Sequence, residues 1–310
     1  MEFQLQEGQV YLFLCSSSGS VFRVERKEQL KTVMKLLGET STSSQDLPDH
    51  DITLFDLCED GLRTPRSVAG GAGYDNQPFF SEDGGTVYFT RMESDVADIW
   101  SWSETVGGRR VVASPLSEFS PTVMPAGGGL STVRVEADGT QRLWSYSKER
   151  GFRLLFNTIK PVGYHAWSGH DVALFVLGEP HRLEVARLGS EQTQVVAEKI
   201  GRCLKAVPGR RAVSFTVERG DDHILMMYDF ETGEVEQGRP LPRGVQDYDW
   251  LNEDTVVTSN GTNLLSGNWK RSGRWSLLHS SLPLQGVSRL AVSADGKKIA
   301  IVHLKRGWLY

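Results

Sequence analysis

The 310-residue sequence has few cysteines and no long apolar run. Cys15, Cys58 and Cys203 are scattered and form no Cys-x-x-Cys pair, so neither a disulfide framework nor a zinc site is indicated. No stretch approaches the roughly 18–20 apolar residues of a membrane-spanning helix, and the apolar run Val10–Cys15 is too short for a signal peptide. We therefore expect a cytoplasmic protein without a membrane span.

The sequence also lacks the common catalytic motifs and a strong charge of either sign. It contains no Gly-x-Ser-x-Gly elbow, no His-Glu-x-x-His pair and no phosphate-binding loop. The formal net charge of -5 gives no electrostatic reason to expect binding to nucleic acid. We expect no cofactor and no catalytic residues, although an enzymatic role stays open as an alternative.

What the sequence does contain is a repeat. An apolar strand, a tight turn of acidic, Asn or Gly residues and a second apolar strand recur six times, at intervals of 40 to 44 residues. Such turn residues tolerate the backbone angles of short hairpins. A period of this size is typical of a propeller, in which one four-stranded unit is repeated around a ring. The residues that end the first strand of each unit, here called the anchors, are Phe80, Val123, Trp167, Val207, Trp250 and Val292.

The two ends of the repeat complement each other. Only the second strand follows the last anchor, whereas two strands, near Ile52–Leu57 and Arg66–Val68, precede the first anchor. Pairing these ends would close the ring and leave no open sheet edge. We therefore predict an all-β protein: a six-bladed β-propeller of four-stranded antiparallel blades over residues 48–310, closed by both termini.

Residues 1–47 do not fit the repeat. Val10–Cys15 and Val21–Val24 flank a Ser-Gly turn and predict a hairpin. Apolar residues at helical spacing over residues 30–37 predict a short amphipathic helix, and a polar linker follows. This helix either docks on the main domain or binds a partner.

The segment Gln77–Gly84 resembles the TolB-like, WD-type repeat family, whose repeat reads roughly Pro-x-aromatic-Ser-Pro-Asp-Gly. Ser120–Pro125 and Val292–Gly296 match this pattern in part, and Asp98–Trp102 and Ile224–Asp229 match the later strand of the family repeat. The resemblance implies a propeller fold over most of the chain. Because the family is usually exported, it also implies a periplasmic or secreted location if the true start differs from Met1.

Blade geometry sorts the loops onto two faces. The tight turns lie on one face, and the second-to-third strand loops lie on the other with the loops that enter each blade. We call this second face the funnel face. Loops on a rigid scaffold often carry function, and the funnel face is rich in Arg, Glu, Asp and His. These charged residues predict a binding rim for a protein, a peptide or a small polar ligand; the alternative is a set of solvated ion pairs. We expect the protein to be a monomer. The candidate residues are Asp75, Asn76, Gln77, Arg91, Glu93, Glu118, Arg134, Glu136, His165, Glu179, His181, Arg202, Glu218, Asp247 and His303.

Three of these candidates suggest a second function. Imidazole is a good ligand for zinc, manganese or iron, and His165, His181 and His303 all fall on the funnel face. Six-bladed lyases with a His and Gln metal site are a precedent, and Gln77 or Gln141 could complete the set. The alternative function is therefore a metal-dependent carbohydrate lyase or hydrolase.

The tryptophans fall mostly on strands. Large aromatic side chains contribute much of the buried area in protein cores. We therefore interpret these tryptophans as packing between blades rather than as a platform for a sugar ring; they are Trp100, Trp102, Trp144, Trp167, Trp250 and Trp275.

Overall fold

The structure is a computed structural model that describes residues 49–59, 61–70, 73–93, 96–271 and 273–304, together with the backbone of 12–15 and 21–24. Within these residues, nearly all regular structure is β-strand, with one short 3-10 turn at Pro125–Gly127. In the described residues, no helix has the length and apolar character to cross a membrane.

Four sheets have four antiparallel strands each, and in each sheet the strands follow one another in chain order. The first sheet contains β5 (Tyr74–Phe80), β6 (Val87–Glu93), β7 (Val96–Ser103) and β8 (Gly107–Arg110). The second contains β9 (Ser117–Val123), β10 (Leu130–Val135), β11 (Gln141–Ser147) and β12 (Gly151–Leu154). The third contains β13 (Val162–Ser168), β14 (Asp171–Val176), β15 (Arg182–Arg187) and β16 (Thr193–Glu198). The fourth contains β17 (Lys205–Ala206), β18 (Ala212–Arg219), β19 (Asp222–Asp229) and β20 (Val235–Pro240).

The remaining strands of the repeat region are β3 (His50–Cys58), β4 (Gly61–Ala69), β21 (Tyr248–Trp250), β22 (Thr255–Ser259), β23 (Leu264–Asn268), β24 (Ser276–Ser280), β25 (Arg289–Val292) and β26 (Lys298–Leu304). They form one eight-stranded sheet, in the order β21-β22-β23-β24-β4-β3-β26-β25. The prediction of six separate four-stranded sheets is therefore wrong: the described strands of the repeat region form four such sheets and one of eight strands.

A close backbone approach joins the two halves of the large sheet. β24 pairs in parallel with β4 over only two residue pairs, His279 with Gly61 and Ser280 with Leu62. Gly61 has a φ of 140°, and a Cβ built there would lie 2.0 Å from the carbonyl oxygen of His279. Only glycine permits this approach, and the repeat pattern gives no sign of it.

The predicted pairing of the two chain ends is confirmed. β26 pairs antiparallel with β3 over seven residues, from Lys298 opposite Asp56 to Leu304 opposite His50. Ile299, Ala300, Ile301 and Val302 of β26 are fully buried. The strand nearest the C-terminus is therefore held in the same sheet as the first long strand of the repeat region.

The fourth strand of the first sheet ends just before an apolar segment. β8 ends at Arg110, and Val111–Ala113 follows it. The amides of Val111 and Val112 both donate to the carbonyl of Ile99, so the ladder loses its regular register there. Val112 is buried in the core, which explains why apolar character marks a segment just beyond the paired residues.

In the N-terminal region, β1 (Leu12–Cys15) pairs antiparallel with β2 (Val21–Val24), as predicted for the hairpin. The predicted helix over residues 30–37 and the linker after it lie outside the described residues. The division at residues 47 and 48 stays a prediction.

Candidate functional site

The first strands of all six repeats meet at one central cavity of about 160 Å³. Residues near the funnel-face end of each first strand line it, together with residues closer to the anchors. The position three residues before the anchor contributes in every repeat: Gln77, Ser120, Tyr164, Leu204, Asp247 and Arg289. Side chains that alternate along a strand explain why one register position always faces the cavity.

Five half-buried charged side chains lie in or beside this cavity; we call them the cavity charge cluster. Arg202 Nη2 lies 2.6 Å from Asp247 Oδ2, and Lys205 Nζ lies 2.7 Å from Asp249 Oδ2. Arg289 Nη1 lies 4.0 Å from the other carboxylate oxygen of Asp247. These contacts join the first strands of three neighbouring repeats.

The ion pairs keep these groups charged despite burial. Burial raises the pKa of Asp247, but Arg202 and Arg289 outweigh it, and the pKa lies below its usual value. Burial lowers the pKa of Lys205, but Asp249 outweighs it, and the pKa lies above its usual value. Asp247 and Lys205 are therefore charged near neutral pH.

Arg289 also reaches a strand on the far side of the cavity. Its Nη2 donates to the hydroxyl of Tyr164 at 2.7 Å, and its guanidinium carbon lies 4.7 Å from the centre of the Tyr164 ring. Two other first strands, β5 and β9, lie between β25 and β13: β5 contacts both β25 and β9, and β9 contacts β13. The Arg289 side chain therefore bridges non-adjacent walls.

Gln77 and Ser120 occupy equivalent positions, each before a proline and each with a positive φ, 57° and 54°. Gln77 Oε1 accepts hydrogen bonds from the Ser120 amide at 2.7 Å and from Thr90 Oγ1 at 2.8 Å. Asn76 beside it is buried, and its Oδ1 accepts from the Gln77 amide. Gln77 thus lines the cavity while it ties two neighbouring sheets together.

His165 lines the cavity but takes part in packing between sheets. Its Nε2 lies 2.7 Å from Ser131 Oγ, which also accepts from Trp167 Nε1 at 2.8 Å. Burial lowers the pKa of His165 to about 3, so the ring is neutral at physiological pH. Among the described residues, His165 Nδ1 has no hydrogen-bond partner.

The same arrangement recurs two repeats later, with tyrosine in place of histidine. The hydroxyl of Tyr248 and Nε1 of Trp250 both donate to Ser214 Oγ at 2.8 Å. Trp250 is buried and Ser214 is fully inaccessible. The interpretation of Trp167 and Trp250 as packing between repeat units is confirmed.

The three histidines of the metal hypothesis lie in separate hydrogen-bond networks. His303 Nε2 lies 2.8 Å from Thr53 Oγ1, and His181 Nδ1 accepts from the Gly178 amide at 3.2 Å. In the part of the chain that the structure describes, no three His, Cys, Asp or Glu side chains are grouped to hold a metal ion. Gln141 is buried at the start of β11 and does not line the cavity.

Two of the predicted arginines, Arg91 and Arg134, each form an ion pair with a predicted carboxylate on the neighbouring strand. Arg91 makes a bidentate contact with Asp75, its register partner, at 2.7 and 2.9 Å. Arg134 Nε lies 3.1 Å from Glu118 Oε1, again opposite in register. Each guanidinium also stacks on an aromatic ring, at 4.8 Å for Arg91 over Trp100. These side chains lie outside the cavity lining and strengthen individual sheets.

Glu118 is the most perturbed of the predicted carboxylates. It is fully inaccessible, and burial raises its pKa to about 7. Ser114 Oγ donates to it at 2.7 Å, and the charge of Arg134 works against the rise. Glu118 therefore titrates near neutral pH within the second sheet.

The remaining candidates are dispersed. Glu93 pairs with Arg110, and Glu136 accepts from Arg142 and from Trp144 Nε1. Glu179 is exposed. Burial raises the pKa of Glu218. Of the predicted residues, only Gln77, His165, Arg202 and Asp247 line the cavity.

The site residues predicted from the sequence do not include Tyr164, Lys205, Asp249 and Arg289. No sequence motif distinguishes these four residues from their neighbours. The signal that would have found Tyr164 and Arg289 is their distance from the anchor, because that position faces the cavity in each repeat.

No family model and no curated protein matches the sequence. Comparison with solved structures finds a putative TolB from Agrobacterium tumefaciens with a TM-score of 0.67 and 15% identity, covering 84% of this chain and 100% of that one. TolB from Acinetobacter baumannii has a TM-score of 0.56 and 11% identity, over 94% of this chain and 73% of that one. A chain of a nidogen/laminin complex has a TM-score of 0.58 and 9% identity, over 83% and 100%. At these identities the likeness is one of fold, and the chain has a TolB-like β-propeller fold.

Proposed function

We propose that the chain is a non-catalytic, six-bladed propeller scaffold that binds a small polar ligand, or a polar segment of a peptide or protein, in the central cavity at the funnel face. The six blades follow if the eight-stranded sheet is divided at its two-residue parallel bridge. One half is then β21–β24, and the other is β25, β26, β3 and β4.

The observation that carries the proposal is the composition of the cavity. It is concave and mostly apolar, and a small set of charged side chains converges on it, the arrangement typical of ligand sites. The wider binding rim that the sequence predicts has less support, because Asp75, Glu118 and Glu136 are engaged with arginines of their own sheets.

The protonation states of the cavity groups favour binding over catalysis. Burial raises the pKa of Cys203 to about 12, so its sulfur is a thiol at neutral pH, whereas the thiolate is the reactive form. Burial keeps His165 neutral with a pKa of about 3, far below the value that suits a general base near neutral pH. We do not extend the proposal to a metal-dependent lyase or hydrolase, because His165, His181 and His303 lie in separate networks.

A cavity-blocking variant tests the proposal. Ala206 lines the cavity and is exposed, so Ala206→Trp would obstruct the cavity without forcing a large ring into the core. Val195→Trp on β16 is the matched control, because Val195 is 49% exposed and no residue of β16 lines the cavity.

Differential scanning fluorimetry against a panel of small acids, amines, sugars and short peptides is the measurement. We expect at least one compound to raise the melting temperature of the original protein and of Val195→Trp, but not of Ala206→Trp. Equal shifts in all three proteins would place the binding outside the cavity and contradict the proposal. The cytoplasmic location and the monomeric state stay predictions, which cell fractionation and light scattering would test.

A further inference from the structure

We propose that the central cavity binds a small monocarboxylate with an apolar body, whose carboxylate contacts Arg289 and whose body packs against the apolar wall. This inference rests on the proposed function and names the class of ligand for the same cavity.

The first argument is the charge balance of the cavity charge cluster. Among the described residues it contains three cations, Arg202, Lys205 and Arg289, and two carboxylates, Asp247 and Asp249. The neighbouring His165 and Cys203 are neutral near pH 7. A buried charge without a close counter-ion is costly, and a bound carboxylate would supply one to Arg289, whose contact with Asp247 is 4.0 Å long.

The second argument is the set of donors on Arg289. A guanidinium has five N–H donors, and within the described residues Arg289 makes one hydrogen bond, to Tyr164. Its 4.0 Å separation from Asp247 exceeds hydrogen-bonding distance. The donors that remain suit the planar, bidentate recognition of a carboxylate.

The third argument is the rest of the lining, which is apolar. It includes Phe79, Val123, Trp167, Leu204 and Leu290. The volume of about 160 Å³ is close to that of an engineered apolar cavity of about 150 Å³ that holds benzene. The cavity therefore suits an aromatic or branched aliphatic acid of similar size.

The contact with Arg289 also discriminates between ligands. A monocarboxylate brings one counter-ion to Arg289 and an apolar body to the lining. Inorganic phosphate, which near pH 7 is a mixture of monoanion and dianion, brings charge without an apolar body. A neutral compound of the same shape brings the apolar body without the charge. Benzoate, inorganic phosphate and benzamide are therefore the three probes that separate these cases.

Isothermal titration calorimetry of the full chain at pH 7 and low salt is the experiment. We expect saturable binding of benzoate, with benzamide about 10-fold or more weaker because it loses a hydrogen bond between charged groups. We expect phosphate to bind more weakly than benzoate because it buries no apolar surface. Arg289→Met should weaken benzoate binding by about 10- to 100-fold. Arg243→Met is the control, because Arg243 is 80% exposed and pairs with an equally exposed Asp221.

A second variant keeps the test independent of folding effects. Tyr164→Phe removes the hydroxyl that Arg289 contacts but leaves the positive charge, so benzoate should bind at least as well as to the original protein. If benzoate does not bind, if benzamide binds equally well, or if Arg289→Met binds benzoate as the original protein does, the inference is wrong. A different compound that Ala206→Trp blocks would leave the proposed function standing while the carboxylate assignment fails.

Discussion

Replacing Ser214 with alanine tests the hydrogen-bonded contact that ties the fourth sheet to β21. Ser214 Oγ is inaccessible to solvent and accepts from the hydroxyl of Tyr248 and from Nε1 of Trp250, both at 2.8 Å. Alanine would leave two buried donors without a partner, at about 1–3 kcal/mol each. We expect the free energy of unfolding to fall by about 2–6 kcal/mol.

Tyr248→Phe isolates one of these two bonds. It removes the hydroxyl together with its need for a partner, so we expect a loss of only about 0.5–1.5 kcal/mol. In the double variant, the orphaned hydroxyl of the Ser214→Ala protein no longer exists. The double variant should therefore lose less stability than the sum of the single variants, by about 1–3 kcal/mol.

Urea unfolding followed by tryptophan fluorescence measures all three variants. Ser276→Ala is the control, because Ser276 is exposed on β24 and should change stability by no more than about 0.5 kcal/mol. A similarly small loss for Ser214→Ala, or additive losses in the double variant, would show that the buried hydroxyl is not the acceptor on which these side chains depend.

Two further predictions concern the protonation of Glu118 and the pairing of β26 with β3. The raised pKa of Glu118 means that its contribution to stability is fully present below the unfolded value near 4.5 and is lost as the pH rises through about 7. Glu118→Gln should therefore flatten the fall in the free energy of unfolding between pH 5 and 8 relative to the original protein, and an unchanged profile would contradict the assignment. Ala300→Asp would place an unpaired carboxylate at a fully buried position of β26 opposite Leu54, so we expect a loss of about 3 kcal/mol or more. The matched control Val235→Asp, at a 43% exposed position of β20, should change the urea midpoint little; equal effects would contradict the buried pairing of β26 with β3.

The sequence predicts most of the strands because their signals are local. Tight turns with Asp, Asn and Gly fall between apolar strands at each anchor, and the two unpaired strands at one end match the two missing at the other. The parallel bridge between β24 and β4 could not be predicted in this way, since it depends on the approach of Gly61 to His279 across more than 200 residues of sequence.

The sequence predicts the candidate site less well, because the charge of a loop residue does not show which residue lies opposite it on the neighbouring strand. Arg91 and Arg134 have the charge expected of a binding rim, but each lies opposite a carboxylate on the neighbouring strand and pairs with it. Which residue faces which across a ladder depends on register shifts such as the one between Asn76 and Phe79. A sequence pattern does not reveal these shifts.

The contrast between two repeated positions supports a binding role for the cavity. The pair of Trp167 with Ser131 recurs as Trp250 with Ser214, at the same spacing and distance, which is expected where geometry requires a particular contact. By contrast, the position three residues before the anchor carries six different residue types, although it lines the same cavity in every repeat.

Such variety shows that the fold itself does not demand a given side chain at this position, which leaves it available for ligand chemistry. The charged residues are also confined to one side of the ring. Arg202 and Lys205, Asp247 and Asp249, and Arg289 belong to three consecutive repeats, whereas the walls from β5 and β9 contribute uncharged residues. A cavity with charge on one side and apolar surface on the other favours a ligand with one ionised end and an apolar body over a uniformly polar ligand such as a sugar.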